Sequence, residues 1–202
     1  MSLWSTIGPG PASGADLGTL PDDGGARHLK RGQRLPDLDL PTTSGGSVNL
    51  ARLPGLAIVC CYPWTGRPGL PNPPAWDAIP GAHGSTPQAE GFRDLYAGFR
   101  QVEAAVYGLS TQPTDYQREL VRRLGLPFAI VSDEHFAFQR ALALPTFATG
   151  GVTYLKRLTL ALKDGRLERV YYPVPLPGAH AREVCAWLGM RDRSDLRKVG
   201  GI

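Results

Sequence analysis

The sequence predicts an α/β domain with a mixed central β-sheet flanked by helices and with an N-terminal β-hairpin. Apolar runs of strand length alternate with segments of helical periodicity from about residue 35 to 142, which is typical of parallel strands joined by helices. An Asp-Gly turn then joins two more strand-like runs, which predicts an antiparallel hairpin in the same sheet. With 202 residues, 42% of them hydrophobic, the chain can bury one sizeable core.

Composition divides the chain into three segments. Residues 1–30 are crowded with Gly, Pro, Ser and Asp and show no apolar period, so we expect a flexible arm. Residues 31–190 carry the predicted domain. Residues 191–202 form a basic, polar tail that we expect to be solvated.

In the first half of the domain, the sequence predicts a hairpin, two buried strands and two helices. Phe92 and Phe99 recur at helical spacing, and Gly125 suits the residue that follows a helix. Between the first strand and the first helix lies loop 63–80, whose six prolines and unusual length are typical of functional loops. The elements, in order, are a hairpin of 35–40 with 48–50, strand 56–61, a helix from 87, strand 104–109 and helix 114–124.

The second half is predicted to complete the sheet and close the domain with an amphipathic helix. Lys163-Asp164-Gly165-Arg166 carries the turn signal of the second hairpin. The predicted elements are strand 126–131, helix 134–142, a hairpin of 158–162 with 167–172, and helix 179–188.

Charge and cysteine content exclude several classes of protein. The 22 basic and 18 acidic residues are scattered, so a net charge of +4 does not indicate a nucleic-acid partner. The longest apolar run, 56–62, is too short to span a membrane, and the N-terminus lacks the pattern of a secretory signal. Three cysteines do not form a complete disulfide set, which favours a reducing, cytoplasmic location.

The start of the first helix is the most informative segment. Ser85 suits the N-cap position, Pro87 suits the first turn, and Gln88 completes a capping-box pattern. Because serine is among the best N-caps, capping alone explains its presence. A functional interpretation adds an anion site formed by the helix amides with Ser85 and Thr86.

Gly84 to Asp94 resembles the active site of Q-type peroxiredoxins, also called bacterioferritin-comigratory proteins. That motif reads Gly-Cys-Thr-x-Gln-Ala-Cys-x-Phe-Arg-Asp, with the peroxidatic cysteine first and the resolving cysteine second; here Ser85 and Glu90 stand in those positions. The resemblance extends from about residue 35 to 188 and implies a thioredoxin-like fold. Further segments that match the family are 62–63, 107–110, 126–128 and 132–134.

The resemblance also implies a function and a set of site residues. Family members are antioxidant oxidoreductases that reduce hydroperoxides with a thiol, and a reductant such as thioredoxin restores them. The site residues implied here are Ser85, Thr86 and Arg157, the last at the position of the family's second-strand arginine. We expect no metal and no cofactor, and a monomer or homodimer. Because a serine hydroxyl has no comparable acidity or redox chemistry, we expect ordinary peroxidase activity to be absent.

Two further departures accompany the serine. Glu90 replaces the resolving cysteine, and Ala82 stands where the family has a threonine. Thr65, in the long loop, is a candidate to supply the missing hydroxyl. Ser85 is explained either by an engineered Cys-to-Ser change or by natural loss of the thiol, and Glu90 and Ala82 favour natural loss.

The main alternative function is a non-catalytic binding module. It would use the same helix start for a small anion, or loop 63–80 for a protein partner. Arg157 would then serve the anion, or it would merely pair with Glu90 or Glu168.

Other nucleophiles and bases are weaker candidates. Cys61 ends the first buried strand, where a thiol could approach the Ser85 helix, but Cys60, Cys61 and Cys185 all fit core positions. His83 could act as a base toward Ser85 in a hydrolase, but no nucleophile-elbow motif and no acidic partner at a recognisable spacing accompany it. The four histidines are too dispersed to predict a zinc site.

Overall fold

The structure, a computed structural model, describes residues 20–189. In these residues the strands are β1 (Asp39–Pro41), β2 (Ser47–Asn49), β3 (Leu56–Cys61), β4 (Ala104–Ser110), β5 (Ile130–Ser132), β6 (Thr146–Thr149), β7 (Val152–Leu155), β8 (Leu158–Lys163) and β9 (Arg166–Tyr171). The α-helices are α1 (Ser85–Asp94), α2 (Tyr96–Gln101), α3 (Thr114–Leu124), α4 (Ala137–Leu142) and α5 (His180–Trp187).

The central sheet is mixed, as predicted. Its strand order is β5-β4-β3-β8-β9, with β3, β4 and β5 parallel and with β8 and β9 antiparallel to their neighbours. β3 lies in the middle, and its residues from Ala57 to Cys61 are buried because both faces of the sheet are covered. The predicted thioredoxin-like fold, with a hairpin at its start formed by β1 and β2, is confirmed.

The two faces of the sheet pack against different layers. α1, α2, α3 and α5 cover one face, where Phe92 and Phe99 stack with their ring centroids 5.5 Å apart. α4 and the first hairpin cover the other face, with Phe138 in its core. Because neighbouring residues of a strand point to opposite faces, Cys60 belongs to the first layer and Cys61 to the second.

Several local predictions are confirmed by backbone geometry. α3 has the predicted bounds, and Gly125 follows it in the left-handed conformation with φ 59°. The turn between β8 and β9 places Asp164 and Gly165 at positive φ, as an Asp-Gly hairpin turn requires.

Three local predictions are wrong. The helix from residue 87 is broken at Leu95 into α1 and α2. The strand predicted for 126–131 covers only Ile130–Ser132, because the Leu126 amide donates to the Val121 carbonyl at the end of α3 and a proline follows. The hairpin of β6 and β7 was not predicted.

The predicted flexible arm ends too late in the sequence. Ala26 and Leu29 are buried in the core, and the His28 ring bonds the Leu142 carbonyl at 2.8 Å. Asp23 also pairs with Lys156. These contacts tie residues 22–29 to the domain, so the packed structure begins before residue 30. The rest of the arm, 1–19, and the tail, 191–202, lie outside the described residues.

Candidate functional site

The start of α1 depends on a glycine. Gly84 is the N-cap, with φ 102°, and a Cβ added there would lie 2.6 Å from Pro177 Cγ. Both the positive φ and the close approach require glycine. The prediction that Ser85 is the N-cap is wrong: Ser85 is the first helical residue, and no side chain caps this helix.

The Ser85 hydroxyl is instead held by an arginine from the other side of the site. Arg157, between β7 and β8, donates from Nη2 to Ser85 Oγ at 3.1 Å and to the His83 carbonyl at 3.0 Å. Its Nη1 donates to Gln88 Oε1 at 2.5 Å. Gln88 lies one turn along α1 from Ser85, so a single guanidinium bridges two residues of the same helix face.

Arg157 is a buried cation. Its exposed fraction is 3%, and burial lowers its pKa to about 10. The proposed pairing with Glu90 or Glu168 is wrong: Glu168 pairs with Arg31 at 2.5 Å, and within residues 20–189 no carboxylate forms an ion pair with Arg157. Its Nε and the Gln88 Nε2 are buried without a hydrogen-bond partner in the same part of the chain. A buried guanidinium of this kind favours an anionic partner.

A cavity of about 330 Å³ opens in front of the helix start. Ser85 and Thr86 line one side of it, and their amides have no carbonyl four residues earlier in the helix to bond. Trp64 and Trp76 of loop 63–80 line another side, and their rings meet edge to face at 5.4 Å. The loop therefore forms a wall of the site.

Two arginines stand on the rim of this cavity. The Arg67 guanidinium lies 4.0 Å from the ring centroid of Tyr116, and the Arg67 Nε is buried without a partner among the described residues. Arg123 also lines the cavity, but it pairs with Glu119 at 2.7 Å. Positive charge therefore surrounds an opening whose floor is the N-terminus of α1.

Thr65 lies in the same cavity wall, but its hydroxyl already has a partner. The Oγ1 atom donates to Gln112 Oε1 at 3.2 Å, and the Gln112 amide group donates to the Thr65 carbonyl at 3.2 Å. Ala82, at the position of the family's threonine, is buried. The structure therefore uses the Thr65 hydroxyl to anchor the loop.

The thiol on the α1 side of the sheet is Cys60, and the prediction that Cys61 could approach the helix is wrong. Cys60 lines a small internal cavity of about 20 Å³ beneath Ser85 and Gln88, whereas Cys61 packs on the opposite face. Burial raises the pKa of both thiols. Both cysteines are therefore core residues in the protonated form, which is a poor nucleophile.

His83 has a carboxylate partner that the sequence did not indicate. Its Nε2 lies 2.7 Å from Asp77 Oδ1, six residues earlier, at an exposed position. Ser85 Oγ accepts from a guanidinium, which is not a base, so the hydrolase interpretation gains no support. In residues 20–189 no three Cys, His, Asp or Glu side chains cluster as metal ligands, and no helix there is both long and apolar enough to cross a membrane.

The structure thus brings together the three predicted site residues and adds others. Ser85 and Arg157 are in contact, and Thr86 lines the cavity beside them. Gln88 was predicted only as a capping residue, although its spacing from Ser85 already places both on one helix face. Arg67 and Arg123 carried no sequence signal, because contacts made only in the folded chain bring them to the cavity.

The relatives found by sequence comparison are Q-type peroxiredoxins. No family model matches the chain. The chain is 28% identical over 189 residues to peroxiredoxin Q of Oryza sativa subsp. japonica, covering 90% of this chain and 77% of that protein. It is 29% identical over 157 residues to the protein of Sedum lineare, covering 77% and 75%. Both names say chloroplastic, so they do not support the predicted cytoplasmic location.

Solved structures with the same fold lead to the same group. The bacterioferritin comigratory protein of Xanthomonas campestris, studied for its alkyl peroxide reduction activity, has a TM-score of 0.64 at 24% identity and covers 79% of this chain and 98% of its own. Peroxidoxin BcpB of Mycobacterium tuberculosis has a TM-score of 0.64 at 24% identity and covers 82% and 100%. The predicted resemblance is confirmed: in sequence and fold this is a peroxiredoxin-like chain of the thioredoxin-fold oxidoreductases.

Proposed function

We propose that this protein keeps a peroxiredoxin-type pocket but does not act as a thiol peroxidase, and that the pocket binds a hydroperoxide or a small oxyanion. The observation that carries the proposal is the contact between Arg157 and Ser85 Oγ at the start of α1. In the related proteins a reactive thiol is expected at this position. Here the same arginine and the same helix end hold a hydroxyl.

Peroxidase chemistry needs a group that is ionised and can be oxidised reversibly. A thiolate attacks the outer peroxide oxygen, breaks the O–O bond and becomes a sulfenic acid, which a second thiol then reduces. Ser85 supplies neither the thiolate nor the sulfenic acid. The nearest thiol layer is Cys60, and burial keeps it protonated.

Ligand binding does not need the thiol. A carboxylate or a peroxide oxygen can accept hydrogen bonds from the amides of Ser85 and Thr86, while Arg157 beneath them supplies a positive charge in a poorly solvated position. Removing the thiol therefore leaves the recognition part of the pocket in place.

The test is hydroperoxide consumption with excess dithiol reductant such as thioredoxin, for the native chain and for Ser85→Cys. We expect the native chain to stay at background and Ser85→Cys to consume peroxide at least about a hundredfold faster, because helix and arginine together favour a thiolate. Single turnover without reductant gives the same comparison if the reductant does not recognise this chain.

Two controls isolate the site. Cys60→Ala and Cys61→Ala should change neither rate, since both thiols are buried in the core. Peroxide consumption by the native chain that is lost in Cys60→Ala would contradict the proposal. Inactivity of Ser85→Cys in single turnover as well would show that the pocket no longer orients a peroxide.

A further inference from the structure

A second cavity continues the Ser85 cavity on the far side of the helix start. It is a groove of about 650 Å³ between the end of loop 63–80 and the segment that leads into α5. Most of its lining is apolar, with Ile79, Val174, Leu176 and Pro177 among the contributors. It also contains His83, Gly84 and Pro87, which line the Ser85 cavity as well. The two cavities therefore meet at these three residues.

The two ends of this continuous cleft differ in charge. The Ser85 end carries Arg67, the helix amides and, beneath them, Arg157, which is 3% exposed and has no carboxylate partner in the described chain. The charged groups at the groove end are His83 and Asp77, which pair with each other. One end therefore favours a negative charge, and the other favours an apolar chain.

We propose that the cleft binds an amphipathic carboxylate with an unbranched acyl tail, its carboxylate at Ser85 and Thr86 and its tail in the groove. This inference rests on the proposed function, since the head occupies the same pocket, and it adds the class of ligand. The complementary charge at one end and the apolar lining at the other favour this occupant over an inorganic anion, which would leave the groove uncovered.

The size of the cleft fits such a molecule. Sites for small organic ligands are typically about 300–1,000 Å³, and each of the two parts reaches that range. Full burial of one methylene contributes roughly a threefold to fourfold gain in affinity. Because the groove is open on one side, we expect each methylene to contribute less than this.

The experiment measures, by titration calorimetry on the full chain, the affinity of acetate, butanoate, hexanoate and decanoate. We expect affinity to rise with tail length, by at least about tenfold from butanoate to decanoate, because six more methylenes enter the groove. Fluorescence of Trp64 and Trp76 at the head end should change with every carboxylate that binds.

A matched pair of variants tests the groove. Leu176 is 51% exposed and lines the groove, and Leu70 is 58% exposed and does not line it. Leu176→Asp should weaken decanoate at least about fivefold while leaving butanoate unchanged, since a buried carboxylate beside the tail is unfavourable. Leu70→Asp should leave both unchanged. Arg67→Gln should weaken all four carboxylates alike.

The outcomes separate the two proposals. If acetate and decanoate bind with equal affinity, the anion pocket stands and the acyl tail is wrong. If no carboxylate binds, and hydroperoxides do not bind either, the proposed function fails together with this inference. An affinity for decanoate that falls as protein concentration rises would mean that a second copy of the chain covers the groove, and this too would overturn the proposal.

Discussion

The starts of α1 and α4 have the same backbone geometry and different partners. Each helix follows a residue in the left-handed conformation, Gly84 with φ 102° before α1 and Phe136 with φ 55° before α4. At α4 the Asp133 carboxylate accepts hydrogen bonds from the amides of Phe138 at 3.0 Å and Gln139 at 2.8 Å. At α1 no side chain caps the helix, and its first amides face a cavity.

The difference shows what each helix end is built for. The chain supplies its own anion to α4, and that helix end is closed. At α1 it supplies a cation, Arg157, and a hydroxyl, Ser85, but no anion among the residues that the structure describes. A helix N-terminus is favoured by negative charge, so the α1 end remains suited to a ligand.

The largest stability effect should come from the closed end. Asp133→Ala removes two hydrogen bonds to a buried carboxylate and leaves two amides without partners. We expect the free energy of unfolding to fall by about 2–3 kcal/mol, measured by urea denaturation.

The same truncation at the open end is the matched control. Ser85→Ala removes one hydrogen bond from Arg157, whose Nη2 still reaches the His83 carbonyl. We expect a loss below about 1 kcal/mol. If Ser85→Ala cost as much as Asp133→Ala, Ser85 would be a structural cap, and the contrast between the two helix starts would disappear.

A smaller effect should appear in the pH dependence of stability. His180, in α5, is buried against Phe92 of α1 and Tyr171 of β9, and burial lowers its pKa, although Glu183 acts in the opposite direction. The unfolded chain therefore binds the proton more readily than the folded chain below about pH 6.5. We expect the unfolding free energy to decrease as the pH is lowered through that range.

His180→Gln tests this assignment, because the glutamine does not titrate. The slope of stability against pH just below 6.5 should become shallower in this variant, whatever its stability at neutral pH. An unchanged slope would mean that another group, such as a carboxylate, controls the acid side of the profile. Arg157 is the other charge that acts on His180, and it stays protonated throughout this range.

Sequence reasoning predicted the sheet and the pairing of Ser85 with Arg157, because both depend on strong patterns: apolar runs and a family motif. It missed the β6–β7 hairpin, whose residues are mostly exposed or half-buried and so lack an apolar strand pattern. It also missed the packing of Ala26 and Leu29, two isolated apolar residues in a polar segment. Arg67 reaches the site through tertiary contacts, which spacing along the chain does not reveal.

The choice between Cys60 and Cys61 shows the same limit. Strand alternation predicts that the two thiols face opposite sides of the sheet, and this is confirmed. Which side carries α1 depends on how the connection after β3 crosses the sheet, and loop 63–80 gave no indication of that.

The most direct test of the account is the pKa of the thiol introduced by Ser85→Cys, followed by ultraviolet thiolate absorbance against pH with the native chain as the blank. The native cysteines contribute little, because burial raises the pKa of Cys60 and Cys61. We predict a pKa at least about one unit below the ordinary value of about 8.5, owing to the α1 amides and Arg157. A pKa at or above about 8.5 would contradict the claim that this helix start is an anion pocket.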